Sequence, residues 1–264
     1  MRDTVESITI LGGRGKSGQS DAVLRIDLRM GDVASIVGPT GSGKTTLISD
    51  VELFADANTP TGRRILLNGA PAPTEYRDDP ARNPIALITQ HTTFLCDLPV
   101  SEFLLTHARI RSGNPSGVHG LLQKTLGFAN QLTGEPIPPS VRMTELSGGQ
   151  TRALLIADAA VICDTPIVLL DEVENAGIHR ARALELLREH RKIFVFVTHD
   201  PHIALLSDYR IVMRGGWISR LLHTDEEERR CALQVGRLDD MLSRLRDSLR
   251  RGERVRAEAL EGCS

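Results

Sequence analysis

The sequence predicts an α/β fold built mainly around a parallel β-sheet. Apolar strands and helices alternate from Ala153 to His223, and this alternation is typical of a parallel sheet with covering helices. A glycine-rich loop separates an apolar strand at 33–37 from a helix that begins near Lys44. A second apolar strand, at 167–170, ends in the acidic pair Asp171-Glu172. These observations place candidate site residues at the ends of buried strands.

The flanking segments follow from periodicity and turn residues. We expect antiparallel β-structure over 5–37, because apolar and polar residues alternate over 23–29. A helix is predicted over 44–54, and a strand over 64–67 lies between two turns. Helices interrupted at 113–115 and followed by a proline-rich stretch predict a helical subdomain at about 92–150.

The loop after the first apolar strand has the composition and spacing of a phosphate-binding loop. Its glycines let successive backbone N–H groups turn toward one anion, and the following helix adds its N-terminal dipole. We expect Lys44 to reach the β- and γ-phosphates and Thr45 to hold Mg²⁺ through its hydroxyl. The loop therefore predicts a nucleoside triphosphate with Mg²⁺ as the ligand. The predicted binding residues are Gly38, Pro39, Thr40, Gly41, Ser42, Gly43, Lys44, Thr45 and Thr46.

A second glycine-rich stretch lies upstream, at Gly12–Gly18, and contains the tripeptide Gly-Lys-Ser. It is not a second phosphate-binding loop, because Ile10 occupies the position of the required leading glycine. We interpret it as a flexible loop near the nucleotide.

Further motifs follow in a defined order along the chain. Gln90 ends the apolar strand at 85–89, Leu-Ser-Gly-Gly-Gln occupies 146–150, and His199 follows the strand at 193–197. Together with the phosphate loop and Asp171-Glu172, these motifs resemble the ATP-binding cassette (ABC) ATPases over about residues 5–222. The resemblance implies a P-loop NTPase cassette with an antiparallel N-terminal β subdomain and a helical signature subdomain.

The resemblance also implies roles for these residues. Asp171 matches the carboxylate linked to Mg²⁺, and a buried carboxylate is costly without such a cation. Glu172 matches the catalytic carboxylate that orients the attacking water or accepts its proton. Gln90 bridges the metal and the water, and His199 donates to the γ-phosphate during transfer. The signature residues Ser147, Gly148, Gly149 and Gln150 resemble a second phosphate cradle at a helix N-terminus.

The chain departs from the family's habits at several positions. No aromatic residue precedes Phe54, so the usual adenine-stacking ring is missing; either Arg14 stacks on the base instead, or selectivity for adenine is loose. Ile178 occupies the position of the D-loop aspartate, and Ala153 and Asp158 stand where arginines are usual. These departures affect communication between subunits or with a partner, since every catalytic group is present.

Composition restricts the possible partners and location. A net charge of −2 with 25% charged residues argues against a nucleic-acid-binding surface over the whole protein. The four cysteines are scattered, contain no pair at metal-ligand spacing, and indicate a reducing compartment. No apolar stretch approaches the length of a membrane span, and no signal sequence opens the chain. We therefore expect a cytoplasmic protein, peripheral at a membrane only through a partner.

We expect one cassette over 1–223 and a charged helical extension over 224–264. Four leucines of the extension, Leu238, Leu242, Leu245 and Leu249, follow one another at steps of four and three residues. Either this stripe packs back onto the cassette, which we favour, or it contacts a second chain. Gly252 is predicted to end or bend the helix.

Three functions are compatible with these motifs. The first is an ATP-binding subunit that energises separate transmembrane subunits, with residues 94–105 as the expected docking segment. The second is a soluble ATPase whose ATP-driven dimer closure remodels a client protein, and the third is a regulator that does not hydrolyse ATP. We also expect a second cassette, from an identical or a related chain, across the ATP site. Lys44 already occupies the site within its own chain, so the signature loop can reach the γ-phosphate only from another chain.

Overall fold

The computed structural model describes residues 4–79, 82–89, 91–112, 117–171 and 180–254. The strands of the N-terminal sheet are antiparallel and follow the order β2-β1-β4-β5. Alternating burial along β2 places Ile26 and Leu28 in the core and three charged residues outside, as the sequence predicts. The four strands are β1 (Ser7–Leu11), β2 (Arg25–Arg29), β4 (Arg64–Leu67) and β5 (Ala70–Pro71).

The larger sheet has six strands in the order β10-β9-β3-β8-β7-β6. Pairing is parallel throughout except between β9 and β10. The expectation that residues 5–37 are wholly antiparallel is wrong for 33–37, because β3 pairs in parallel with β8 and β9. A strand buried on both faces reads as a continuous apolar run, which is typical of parallel sheets. The six strands are β3 (Val33–Val37), β6 (Ile85–Thr89), β7 (Ile167–Asp171), β8 (Ile193–Val197), β9 (Tyr209–Arg214) and β10 (Trp217–His223).

Helices cover this sheet and form a separate helical region after β6. In that region α3, α4 and α5 pack around an apolar core that includes Leu104, Leu132 and Leu154. The predicted α/β fold class is confirmed. The helices before the C-terminal extension are α1 (Lys44–Glu52), α2 (Glu75–Asp78), α3 (Val100–Ser112), α4 (Val118–Leu132), α5 (Gly148–Val161), α6 (Arg180–Glu189) and α7 (Pro201–Leu206).

The C-terminal extension forms one long helix, α8 (Glu226–Arg250), which folds back against α7. Ala232 is buried in the contact, and the carboxylate of Asp239 lies 3.2 Å from Nδ1 of His202. The prediction of self-packing is therefore correct for the helix but wrong for its leucines. Leu238, Leu242 and Leu249 are 47%, 45% and 63% exposed, and Leu245 is half-buried.

Gly252 ends α8, as the sequence predicts. Its φ is +73°, in the left-handed region that favours glycine, and its N–H donates to the Leu249 carbonyl at 3.0 Å. Among the described helices, none combines the length and the apolar character that crossing a bilayer requires.

Candidate functional site

The phosphate-binding loop connects β3 to α1, and its glycines are required by both conformation and space. Gly41 and Gly43 have φ values of +77° and +96°. A Cβ on Gly43 would lie 2.8 Å from the Cα of Gly216, and one on Gly38 would lie 2.4 Å from the carbonyl oxygen of Met213. The turn between β9 and β10 therefore packs directly on this loop, and only glycine permits that approach.

The groups available to a phosphate converge on the first turn of α1. Nζ of Lys44 folds back over the loop and donates to the carbonyls of Gly38 at 2.9 Å and Pro39 at 3.2 Å. Gly43 is the N-cap and supplies no side-chain acceptor, so the first-turn N–H groups are available to an anion. The hydroxyl of Ser42 is buried without a hydrogen-bond partner in the described part of the chain.

A cavity of about 220 Å³ opens at this helix N-terminus. The loop backbone, the Lys44 ammonium and the exposed Thr45 hydroxyl give it the donor set that a nucleotide phosphate requires. This donor set fits a triphosphate. The lining residues are Lys16, Thr40, Gly41, Gly43, Lys44, Thr45 and Thr46.

Lys16 is the binding candidate that the sequence argument missed. It belongs to the Gly12–Gly18 loop, which we interpreted only as a flexible neighbour of the nucleotide. A Cβ on Gly15 would lie 2.8 Å from the carbonyl oxygen of Gly215, so this loop packs on the same β9–β10 turn as the phosphate loop. The Gly-Lys-Ser tripeptide was the available signal, although it does not form a second phosphate-binding loop.

Asp171 lies at the end of the sheet where the parallel strands β3, β6, β7 and β8 finish. The register places Ile36 beside Val197, Val197 beside Asp171, and Asp171 beside Thr89. The phosphate loop begins shortly after Ile36, so the carboxylate of Asp171 lies on the same edge, with β8 between the two strands. Gln90 and Glu172 directly follow β6 and β7 but lie outside the described residues.

His199 is exposed just beyond β8, and its two neighbours fix the backbone there. Thr198 Oγ1 accepts a hydrogen bond from the N–H of Asp200 at 2.9 Å. The Asp200 carboxylate then caps α7, accepting from the N–H groups of His202 at 2.7 Å and Ile203 at 3.3 Å. The imidazole is thus held on a rigid strand-to-helix connection at the site's edge.

The signature loop forms the N-terminus of α5, at a different part of the chain's surface. Ser147 is the N-cap: its Oγ accepts from the N–H of Gln150 at 3.3 Å, and the Gln150 side chain accepts from the N–H of Ser147 at 3.0 Å. Ser147 and Gly148 are exposed, and Gly149 is half-buried. None of these residues lines the cavity at the phosphate loop, so the structure does not bring the two predicted phosphate cradles together within one chain.

The base-binding side of the site is less defined by the sequence. The N–H of Arg14 donates to the Thr61 carbonyl at 2.8 Å, while its side chain is exposed. Trp217, a half-buried aromatic residue, begins β10 directly after the β9–β10 turn, and its backbone nitrogen lies 3.0 Å from the position of a Cβ on Gly15. No sequence motif indicated Trp217 as a base-binding residue, because Trp217 lies far along the chain from the N-terminal segment where the adenine-stacking ring was expected.

A buried ionic cluster holds these loops together. Arg63 donates to Asp21 at 2.9 and 3.0 Å, to Asp50 at 3.1 Å and to the Gly216 carbonyl at 3.0 Å. Asp21 also accepts from the N–H of Gly13 at 2.8 Å and of Ile218 at 2.6 Å. Burial alone would raise the pKa of Asp21, but these donors outweigh it and lower the pKa. The ionised cluster therefore positions the upstream loop, α1 and the β9–β10 turn relative to one another.

Comparisons with known proteins agree with this geometry. The family described as ABC transporter matches residues 22–175. An uncharacterized ABC transporter ATP-binding protein of Methanocaldococcus jannaschii is 45% identical over 96% of both chains. The spermidine/putrescine import ATP-binding protein PotA of a Nostoc species is 30% identical over 74% of this chain, which spans 50% of that protein's length.

A solved structure shows the same fold. The dimeric, post-hydrolysis ATP-binding cassette MJ0796, bound to ADP and Pi, superposes with a TM-score of 0.59. The two proteins are 20% identical, and the match covers 83% of this chain and 99% of that one.

Proposed function

The chain belongs to the ABC transporter family and is an ABC-type ATPase. From the geometry of its site, we propose that two cassettes enclose ATP between them. In this arrangement the phosphate loop of one chain holds the triphosphate, and Ser147, Gly148 and Gly149 of the other cover the γ-phosphate. The observation that carries the proposal is that Ser147 and Gly148 are exposed at a helix N-terminus, while the signature residues do not line the cavity of their own chain.

The reaction is the transfer of the γ-phosphoryl group of ATP to water. Lys44 and the loop N–H groups bind and orient the phosphates. Glu172 orients the attacking water and accepts its proton, and His199 donates to the γ-phosphate oxygens as charge develops there. Thr45, Asp171 and Gln90 would hold Mg²⁺, which would supply positive charge near the phosphate oxygens.

The base is read by the loops that the Arg63 cluster holds in place. Trp217 has a half-buried indole, and its backbone approaches Gly15 of the Gly12–Gly18 loop, while Arg14 offers an exposed guanidinium on the same loop. A stacking contact of this kind is worth about 1 kcal/mol. Trp217, at the start of β10, would then supply the aromatic ring that the N-terminal segment lacks.

Hydrolysis energises separate membrane subunits that dock at residues 94–105. Leu95 supports this assignment: it is 98% exposed, while Phe94 and Cys96 on either side pack against the core. An exposed apolar side chain on a rigid base is suited to insertion into a partner's surface. The names of the relatives favour this role over the remodelling of a soluble client.

The test combines a substitution of the catalytic carboxylate with one in the signature loop. Glu172→Gln should slow ATP turnover by about 100-fold or more while ATP still binds, and it should accumulate a dimer in sedimentation experiments at saturating Mg-ATP. Adding Gly148→Asp should abolish that dimer without abolishing ATP binding, because the new carboxylate would face the other chain's γ-phosphate. An acidic residue at a helix N-terminus does not impair folding.

Gly120→Asp is the matched control. Gly120 lies in α4, and a Cβ there meets no atom within 4 Å, so the same charge change should leave the Glu172→Gln dimer intact. Near-parental turnover in Glu172→Gln would remove that residue from the catalytic role. A Gly148→Asp protein that still dimerises with ATP would contradict the shared site.

A further inference from the structure

Three metal-ligating side chains meet between α3 and the end of α5, in the helical region. Nδ1 of His107 lies 2.9 Å from Oδ1 of Asp158, and Sγ of Cys163 lies 3.6 Å from Oδ2 of the same carboxylate. All three donor atoms lie within 4.8 Å of one another. The cluster is formed by residues that no motif of the ATP site includes.

The cluster is partly enclosed but accessible. Asp158 is buried, with its side chain 11% exposed, while the side chain of His107 is 25% exposed. Cys163 lines a cavity of about 1090 Å³, which gives a path from solvent to the thiol. The N–H of Cys163 donates to the Asp158 carbonyl at 2.9 Å. Asp164, the next residue, is held by Nζ of Lys192 at 2.6 Å, so the thiol is positioned by a fixed backbone.

We propose that His107, Asp158 and Cys163 form a binding site for a divalent cation of the zinc class. Imidazole nitrogen, thiolate sulfur and carboxylate oxygen are the ligands that Zn²⁺ takes, whereas Mg²⁺ and Ca²⁺ prefer all-oxygen sites. With metal–ligand distances of about 2.0–2.3 Å, tetrahedral donors lie roughly 3.3–3.8 Å apart. The 3.6 Å between Cys163 Sγ and Asp158 Oδ2 lies within that range. The 2.9 Å between His107 Nδ1 and Asp158 Oδ1 is the shorter distance of a hydrogen bond, so this pair would move apart by a few tenths of an ångström when a cation binds.

Three protein ligands leave one tetrahedral position for water or for a ligand entering from the cavity. Binding displaces the proton of the Cys163 thiol and the proton on the His107 ring. The two positive charges of the ion would balance the Asp158 carboxylate and the Cys163 thiolate, so neither anion is left uncompensated.

A cation bound at this site would connect α3 and α5, two helices with different proposed roles in the cassette. His107 lies on α3, and its ring packs against Phe103 at a tilt of 44°, with centroids 5.8 Å apart. Phe103 in turn packs edge-on against Phe94 at 5.1 Å. Asp158 lies on α5, the helix that begins at the signature loop. A bound cation would therefore brace the segment around Phe94 against the signature helix. The metal site itself does not depend on the proposed function.

Cobalt(II) titration of the full-length, chelator-treated protein in the absence of nucleotide tests the site directly. We expect one equivalent of Co²⁺ to produce the near-ultraviolet sulfur-to-cobalt charge-transfer band and the visible bands of a tetrahedral centre, and Zn²⁺ to displace it. Cys163→Ser should abolish the charge-transfer band, and His107→Gln should weaken Co²⁺ binding by at least about 10-fold. Cobalt at the phosphate loop would give no such band, since that loop contains no thiol.

Cys231→Ser is the matched control, because Cys231 is exposed on α8, and it should leave the spectrum unchanged. Zn²⁺ should also raise the melting temperature of the parent and of Cys231→Ser, but not that of Cys163→Ser. This second measurement separates a lost ligand from a misfolded variant. A parent protein without the charge-transfer band, or a band that survives in Cys163→Ser, would overturn the proposal.

Discussion

Arg63 and the leucines of α8 lie at opposite extremes of solvent exposure, and each contradicts the usual preference of its residue type. The Arg63 side chain is 0% exposed, whereas Leu238 and Leu242 are 47% and 45% exposed. Arg63 is buried because two carboxylates and a backbone carbonyl complete its hydrogen bonds. The leucines are exposed because a different face of α8 meets the cassette.

The packed face of α8 is made of small and polar residues. Ala232 is 1% exposed, and a Cβ on Gly236 would lie 3.0 Å from the ring of His202. Close approach of α8 to α7 therefore depends on small side chains at these positions. The Asp239 carboxylate lies 3.2 Å from Nδ1 of His202, and Glu228 forms an ion pair with Arg210. The comparison shows that burial follows the partners and the space available at a position, more than the polarity of its side chain.

The largest effect is expected at the buried charge. Arg63→Ala would leave Asp21 and Asp50 without their guanidinium partner, and removing one member of a buried ion cluster costs about 3–5 kcal/mol. The free energy of unfolding, measured with urea, should fall by that amount. Nucleotide affinity should fall with it, because the cluster also positions the phosphate-loop helix.

Arg25→Ala is the control for this substitution. Arg25 pairs with Asp27 at 2.7 Å, but the two side chains are 62% and 44% exposed. Exposed pairs contribute little to the free energy of unfolding, so this variant should stay close to the parent. Equal losses in the two variants would show that burial does not distinguish the two ion pairs.

An intermediate effect is expected on the packed face of α8. Ala232→Asp would place a carboxylate in the contact with the cassette, at a cost of about 1–3 kcal/mol, or would detach the first turns of the helix. Either outcome should lower the melting temperature. The neighbouring Leu233 is 67% exposed, so Leu233→Asp carries the same charge without the burial and should change little. A stable Ala232→Asp protein would show that α8 does not hold to the cassette through this face.

The smallest effect is expected on the leucine face. Leu242→Gln should change the free energy of unfolding by less than about 0.5 kcal/mol at low protein concentration, as is usual for surface substitutions. A loss typical of a buried leucine, about 2–5 kcal/mol for truncation in a core, would mean that the leucines are covered within one chain. Urea unfolding at two protein concentrations distinguishes that result from a stripe covered by a second copy.

Local features of this protein were determined by sequence alone. The phosphate loop follows from its glycine spacing, and the cap of α5 from Ser147 and Gln150, which lie three residues apart. The alternation along β2 and the termination of α8 at Gly252 follow in the same way. Each depends on hydrogen bonds or φ values within a few residues, so each is encoded in a short pattern.

Tertiary structure decided which of these local features meet. Strand order brings Asp171 and the phosphate loop to the same end of the sheet. It also pairs β3 in parallel with β8 and β9, although the preceding strands are antiparallel. Arg63 contacts Asp21, which lies 42 residues away in the sequence, and His107 contacts Asp158, which lies 51 residues away. No short pattern encodes such contacts, because they depend on how strands pair and helices pack. For the same reason, the leucine stripe of α8 can be seen in the sequence. The face of α8 that contacts the cassette, which contains Ala232, depends instead on how the helix packs.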